Sequence, residues 1–146
     1  MKWIAIIAGG LAAVVAVIAA VGAMLPRTHE ASRTLRVKRA PEEVWPAIIQ
    51  ATQASSVPVD VLESQPPHRL VTRVTAQEKN FGGTWTIVIA PAPGPVSTVT
   101  ITEDGWVANP IFRVVSRFVM GHHATMDALL TQVAKTLHEE PALSGE

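Results

Sequence analysis

The sequence predicts an α+β domain, with antiparallel strands and one long C-terminal helix, behind a single membrane-spanning helix. Three observations carry that reading. Residues 3–25 hold no charged or polar side chain. The chain then alternates in strand fashion, forms a short helix and alternates again through residue 103. Finally, an apolar stripe at helical spacing runs from Ile111 to Leu137. Strands followed by a covering helix make an α+β domain rather than a doubly wound one.

The apolar run comes first. At ~1.5 Å per residue it spans about 34 Å, enough to cross a ~30 Å hydrocarbon core. A cleaved secretory signal is the competing reading, since Lys2 precedes the run and Val21-Gly22-Ala23 lie near its end. A signal core is usually only ~7–15 residues, so the run reads as an uncleaved single-pass anchor, residues 1–26. Arg27, Arg33, Arg36, Lys38 and Arg39 follow it, and positive-inside counting places the domain of residues 27–146 on the cytoplasmic face.

The run also shapes the composition. Charged residues are 16% of the 146-residue chain, against roughly 25% usually, and the anchor accounts for part of the deficit because Lys2 is its one charge. The remainder is one ordinary globular domain. With no cysteine, a disulfide scaffold and a thiolate metal site are excluded. Lys plus Arg equals Asp plus Glu at 12 each, so nothing marks a nucleic-acid partner.

Residues 31–38 alternate, with Ala31, Arg33, Leu35 and Val37 on one face. Pro41, Glu42 and Glu43 then start a helix with proline at its first position and two acids in its first turn. Val57, Val59 and Val61 alternate as a strand, and Pro58 suits an edge. Leu70–Thr75 is a further strand. Phe81, Gly83, Trp85, Ile87 and Ile89 share one face of the next, and Pro91–Pro95 turns it into Val96–Glu103. Asp104-Gly105 reads as a turn. Asn109-Pro110 caps the last helix, whose stripe is Ile111, Val115, Phe118, His122, Met126, Leu129, Val133 and Leu137. Gly121 is the place for a bend, and Glu139–Glu146 reads as a fraying tail.

The order and spacing of several segments resemble the START-like, or polyketide cyclase/dehydrase-like (SRPBCC), superfamily. They are Ala40-Pro41-Glu42-Glu43-Val44-Trp45, Pro66-Pro67-His68-Arg69-Leu70-Val71, Phe81-Gly82-Gly83-Thr84-Trp85, Ile101–Gly105, Asn109–Arg113 and Arg117–His122. The likeness spans about residues 30–138. It is similar to membrane-anchored bacterial members, in which an apolar helix precedes a Leu-Pro-Arg-Thr-His stretch. The resemblance implies a helix-grip fold that binds hydrophobic ligands between sheet and helix. Two strands of the usual seven have no residues here, so about five are expected, with an open sheet edge able to pair with a second copy.

Within that frame the candidate chemistry is sparse. His122 lies on the helical stripe, and Glu103 shares the face of Val99 and Ile101. A carboxylate–imidazole pair in an apolar cavity can move a proton, as a cyclase or dehydratase requires. The same pair equally serves as a structural hydrogen bond. Adjacent His122 and His123 point about 100° apart on a helix, so no metal site and no cofactor is expected. Neither G-x-S-x-G nor a phosphate-loop pattern occurs. Trp45, Phe81, Trp85, Phe118, His122 and Met126 are the candidate wall of an apolar pocket. The leading expectation is a non-catalytic, membrane-anchored domain that binds a hydrophobic small molecule or lipid. The alternatives are the His–Glu enzyme and an interaction module pairing through the sheet edge.

Overall fold

The computed structural model describes residues 2–55, 58–75, 81–121 and 123–145. Val57 and His122 therefore lie outside the described residues. A long apolar helix, α1 (Lys2–Met24), leads into β1 (Thr28–Val37) and α2 (Pro41–Gln53). Four strands follow: β2 (Val59–Gln65), β3 (Arg69–Val74), β4 (Phe81–Ala92) and β5 (Val96–Val107). The chain closes with α3 (Pro110–Val115), a π-helical turn (Ser116–Met120), α4 (Ala124–Thr136) and β6 (Ala142–Ser144).

Among the described residues the sheet has six strands in the order β2-β3-β4-β5-β1-β6, every pair antiparallel. This is the predicted α+β class, with one strand more than expected. Side-chain alternation sets which residues face the helices. Leu35 and Val37 of β1, Ile87 and Ile89 of β4, and Val99 and Ile101 of β5 point inward and are buried. Val44 and Ile48 of α2 meet them, as do Met126, Leu130 and Val133 of α4. Arg33 also faces inward. It escapes desolvation by a forked pair to Asp127 of α4, at 2.8 and 3.2 Å, which ties that helix across the sheet.

Three local expectations are corrected. The sixth strand comes from the tail predicted to fray. There Leu143 packs on the core, and Glu139 accepts the Lys38 backbone N–H through both carboxylate oxygens, at 2.9 and 3.1 Å. Asp104-Gly105 is no turn, because β5 runs unbroken to Val107 while paired with β1 on one side and β4 on the other. The long C-terminal helix is divided. Gly121 takes a positive φ of 71°, a left-handed conformation that ends the π-helical turn before α4 begins. The stripe therefore splits: Met126, Leu129 and Val133 reach the core, while Ile111 and Phe118 stand exposed.

One polar cluster joins α1 to the domain. Arg113 of α3 is 6% exposed and pairs with no acid among the described residues. Its guanidinium donates to four backbone carbonyls: Val107 at 2.8 Å, Ala108 at 2.6 Å, Gly22 at 3.0 Å and Leu25 at 3.3 Å. A helix end leaves carbonyls without intrahelical partners and carries partial negative charge. α1 has no basic residue in its own last turn, so Arg113 supplies the cation from elsewhere in the chain. Gly22 lets the two elements touch, since a Cβ there would collide with the Pro110 carbonyl.

Candidate functional site

The break at Gly121 leaves the sheet uncovered between the end of α2 and the start of α4, and a cavity of about 320 Å³ occupies that space. This lies within the roughly 300–1,000 Å³ typical of small-molecule sites. Thr72 and Val74 of β3, Trp85 of β4, and Glu103 and Val107 of β5 form its floor. Leu129 and Thr125 of α4 form one wall, and Phe112 and Ser116 form part of the rim. The surface is mostly apolar, and its ionisable groups are Glu103 and His29.

His29 of β1 is the residue that sequence reasoning missed. Its Nε2 lies 3.7 Å from Oε1 of Glu103. The signal was present: alternation carried two residues back from Ala31 puts His29 on the inward face. The alternation predicted from sequence starts at residue 31, whereas β1 begins at Thr28. Gly105, the register partner of His29, makes the room. A Cβ there would come within 2.5 and 2.7 Å of the imidazole ring.

Burial shapes the ionisation of both groups. It pushes the Glu103 carboxyl above its ordinary value, opposed by a hydrogen bond from the Trp85 side chain and by nearby His123. Burial also lowers the His29 imidazole, and Asp104 opposes that shift only in part. The two pKa values are thus drawn toward each other, the condition under which a proton can be shared or passed. His123 sits at the N-terminal boundary of α4. Its Nδ1 is buried without a hydrogen-bond partner among the described residues.

The Glu103 shift has a stability consequence. A carboxyl whose folded pKa is raised keeps its proton longer in the folded state. Folding stability then falls as pH rises from 4.5 through the folded value. Glu103→Gln removes that loss. Its melting temperature relative to the unsubstituted protein is expected to rise as the pH increases above 4.5 and to level off once the folded carboxyl has ionised. Thermal denaturation across that range checks this, and a constant offset would show that Glu103 does not titrate there.

The candidates named from sequence are only partly brought together. Phe81 and Trp85 line the cavity with Glu103. Trp45 sits half-buried on α2, against the core. Met126 is completely buried within the core, and Phe118 is 66% exposed on the π-helical turn. Gly82 and Gly83 follow Phe81 in β4. The register of β4 with β5 is unbroken there, and what approaches is β5 itself. A Cβ at Gly82 would lie 2.8 Å from the Trp106 ring, and one at Gly83 would lie 2.8 Å from the Asp104 carbonyl. Among the described residues no group of three or more potential ligating side chains could hold a metal ion.

Solved structures place this architecture. A conserved protein from Geobacillus kaustophilus superposes with a TM-score of 0.61 at 12% identity, covering 79% of this chain and 99% of its own. Protein CV1439 from Chromobacterium violaceum gives 0.51 at 17% identity, covering 80% and 100%. PFC0360w, an HSP90 activator from Plasmodium falciparum, gives 0.50 at 12% identity, covering 80% and 99%. What this likeness defines is a shared α+β architecture of the helix-grip kind, an antiparallel sheet packed against helices. At such identities the likeness concerns fold alone. No protein-family model and no curated protein sequence matches the chain.

Proposed function

We propose that the protein is a single-pass membrane-anchored domain that binds a hydrophobic small molecule or lipid without transforming it. The observation that carries this reading is the cavity of about 320 Å³, apolar for most of its surface and lined by the ionisable pair Glu103 and His29. Such a site suits a ligand with an apolar body and one hydrogen-bonding group, which Glu103 and His29 would orient. Residues 1–26 supply the anchor, since α1 is 23 residues long and its most apolar window has a mean hydropathy of 2.8 with no burial. The basic residues after α1 favour a cytoplasmic domain.

Native mass spectrometry of the full chain, released from gentle detergent, tests the reading. A reproducible extra mass that organic solvent removes is expected. A bare mass, together with no uptake of an apolar fluorescent probe, would overturn it. Thr125→Trp supplies the matching variant, because Thr125 lies at the cavity on the exposed first turn of α4. The indole is expected to fill the cavity and weaken probe binding by about tenfold or more, roughly 1.4 kcal/mol, with little change in melting temperature. Undiminished binding would place the ligand elsewhere.

A second reading has its own observation, the 3.7 Å approach of His29 to Glu103. This pair supports a cyclase- or dehydratase-type proton transfer at Glu103, the acid expected from sequence, while His122 lies outside the described residues. Turnover lost in both His29→Ala and Glu103→Gln, with ligand binding retained, would favour it over the binding domain.

A further inference from the structure

Outside α1, nine large apolar side chains are exposed among the described residues, and four of the nine fall within one nine-residue stretch. Ile111, Phe112, Phe118 and Val119 gather on α3 and the π-helical turn, with Phe118 66% and Val119 77% exposed. Single exposed apolar residues need no explanation, but a contiguous set does. Two features locate this set relative to the anchor. First, α3 packs along the end of α1, where Gly22 is buried and Ile18 and Ala19 are partly covered. Ile18 lies about 9 Å back from Met24 along the axis at 1.5 Å per residue, so α3 sits beside the last two turns of α1. Second, Arg113 bonds the carbonyls of Gly22 and Leu25 from within α3, which fixes the two helices against each other.

A helix held beside the final turns of a membrane span lies at the depth of the membrane interface. Arg117 and Arg27 are exposed at the same end, where long cationic side chains can reach lipid phosphates while their stems stay in apolar surroundings. Phe112, moreover, belongs to the rim of the cavity.

We propose that Ile111, Phe112, Phe118 and Val119 form a bilayer-docking face, continuous with the end of α1, which seats the cavity rim in the membrane interface. The ligand is then taken from the bilayer rather than from water. This rests on the reading of α1 as an anchor, and the test separates the two.

The chain has no cysteine, so single cysteines can be introduced and labelled with an environment-sensitive fluorophore. The full chain is reconstituted in phosphatidylcholine vesicles with and without nitroxide-bearing lipid. Phe118→Cys and Val119→Cys report the docking face, and Val14→Cys reports the middle of α1. Pro95→Cys reports the hairpin turn at the far end of β4 and β5, about 35 Å away at ~3.3 Å per residue. Quenching at positions 118 and 119 several-fold stronger than at 95, with 14 also quenched, is the expected result. Quenching at 14 with 118 and 119 no more quenched than 95 would overturn the docking face and leave the anchor standing. No quenching at 14 would overturn the anchor, and the docking face with it. Blue-shifted emission at 118 without lipid quenching would mean that a second copy covers the face, which also overturns docking. All four sites are exposed in the fold, and matched thermal melts confirm that the labelled chains retain it.

Discussion

Arg113→Met is expected to cost roughly 2–4 kcal/mol and to release α3 from the end of α1. Methionine keeps the unbranched stem and much of its packing, so the loss isolates the guanidinium. That group donates to four carbonyls at once, from the end of β5 (Val107 and Ala108) and from the end of α1 (Gly22 and Leu25). Each charge-assisted bond contributes more than a neutral one, and each buried carbonyl left behind loses its partner. Arg113 is 6% exposed, so water does not replace the bonds cheaply. Removing a buried charge that has no counter-charge recovers some desolvation free energy, which keeps the expected loss below the sum of four bonds. Two measurements check the expectation in the full chain. Thermal or urea denaturation should show the destabilisation, and hydrogen exchange should rise in residues 20–25 and 110–115 while the amides of β1 and β5 stay protected. A destabilisation spread evenly over the sheet, with no local rise at the two helix ends, would show that Arg113 is not the link between them.

What could be read from the chain depended on the length over which a pattern persisted. β1 and β5 alternate for many residues, so the inward positions of Leu35, Val37, Val99 and Ile101 were legible, and the structure buries all four. The start of α2 was equally plain, because Pro41, Glu42 and Glu43 carry local signals, and Glu43 does accept the Ala40 backbone N–H at 3.2 Å. Features decided by partners distant in sequence were not legible. Asp104-Gly105 has turn chemistry, yet two neighbouring strands hold it extended, and Gly105 serves to admit His29. The tail has polar composition, yet Leu143, Glu139 and the Gly145 carbonyl, which accepts from Arg33 at 2.7 Å, bind it to β1. The C-terminal stripe shows both outcomes. Its 3–4 spacing is real, but periodicity alone could not tell that Gly121 would end one helical segment before the next. The candidate site inherits that limit, because the cavity exists where the stripe is interrupted. Glu103, Phe81 and Trp85 were found from their strands, while His29 required knowing where β1 begins.

The interruption also makes the two halves of that stripe respond differently to the same kind of truncation. Met126→Ala is expected to cost about 2–5 kcal/mol, the range for removing a long apolar side chain from a packed core. Met126 is 0% exposed in the cluster that joins α4 to the sheet. Its truncation would leave a void among side chains that can relax only partly. Phe118→Ala, eight positions earlier on the same predicted face, is expected to change stability by no more than about 0.5 kcal/mol, since an exposed ring gives up little on truncation. Had a single helix laid its stripe along the sheet, both substitutions would cost several kcal/mol. Denaturation midpoints of the two variants therefore test the break at Gly121 directly. Equal large losses would restore the continuous helix and close the cavity. A large loss at Met126 with almost none at Phe118 leaves the ring available for another environment. The ligand readout divides in the opposite sense. Met126→Ala, measured where it remains folded, should alter probe binding only through the core beneath the cavity. Phe118→Ala should leave binding from solution unchanged but slow uptake from vesicles if its ring rests in the bilayer. Slower uptake at Phe118 without loss of stability is a result that packing within the domain would not produce.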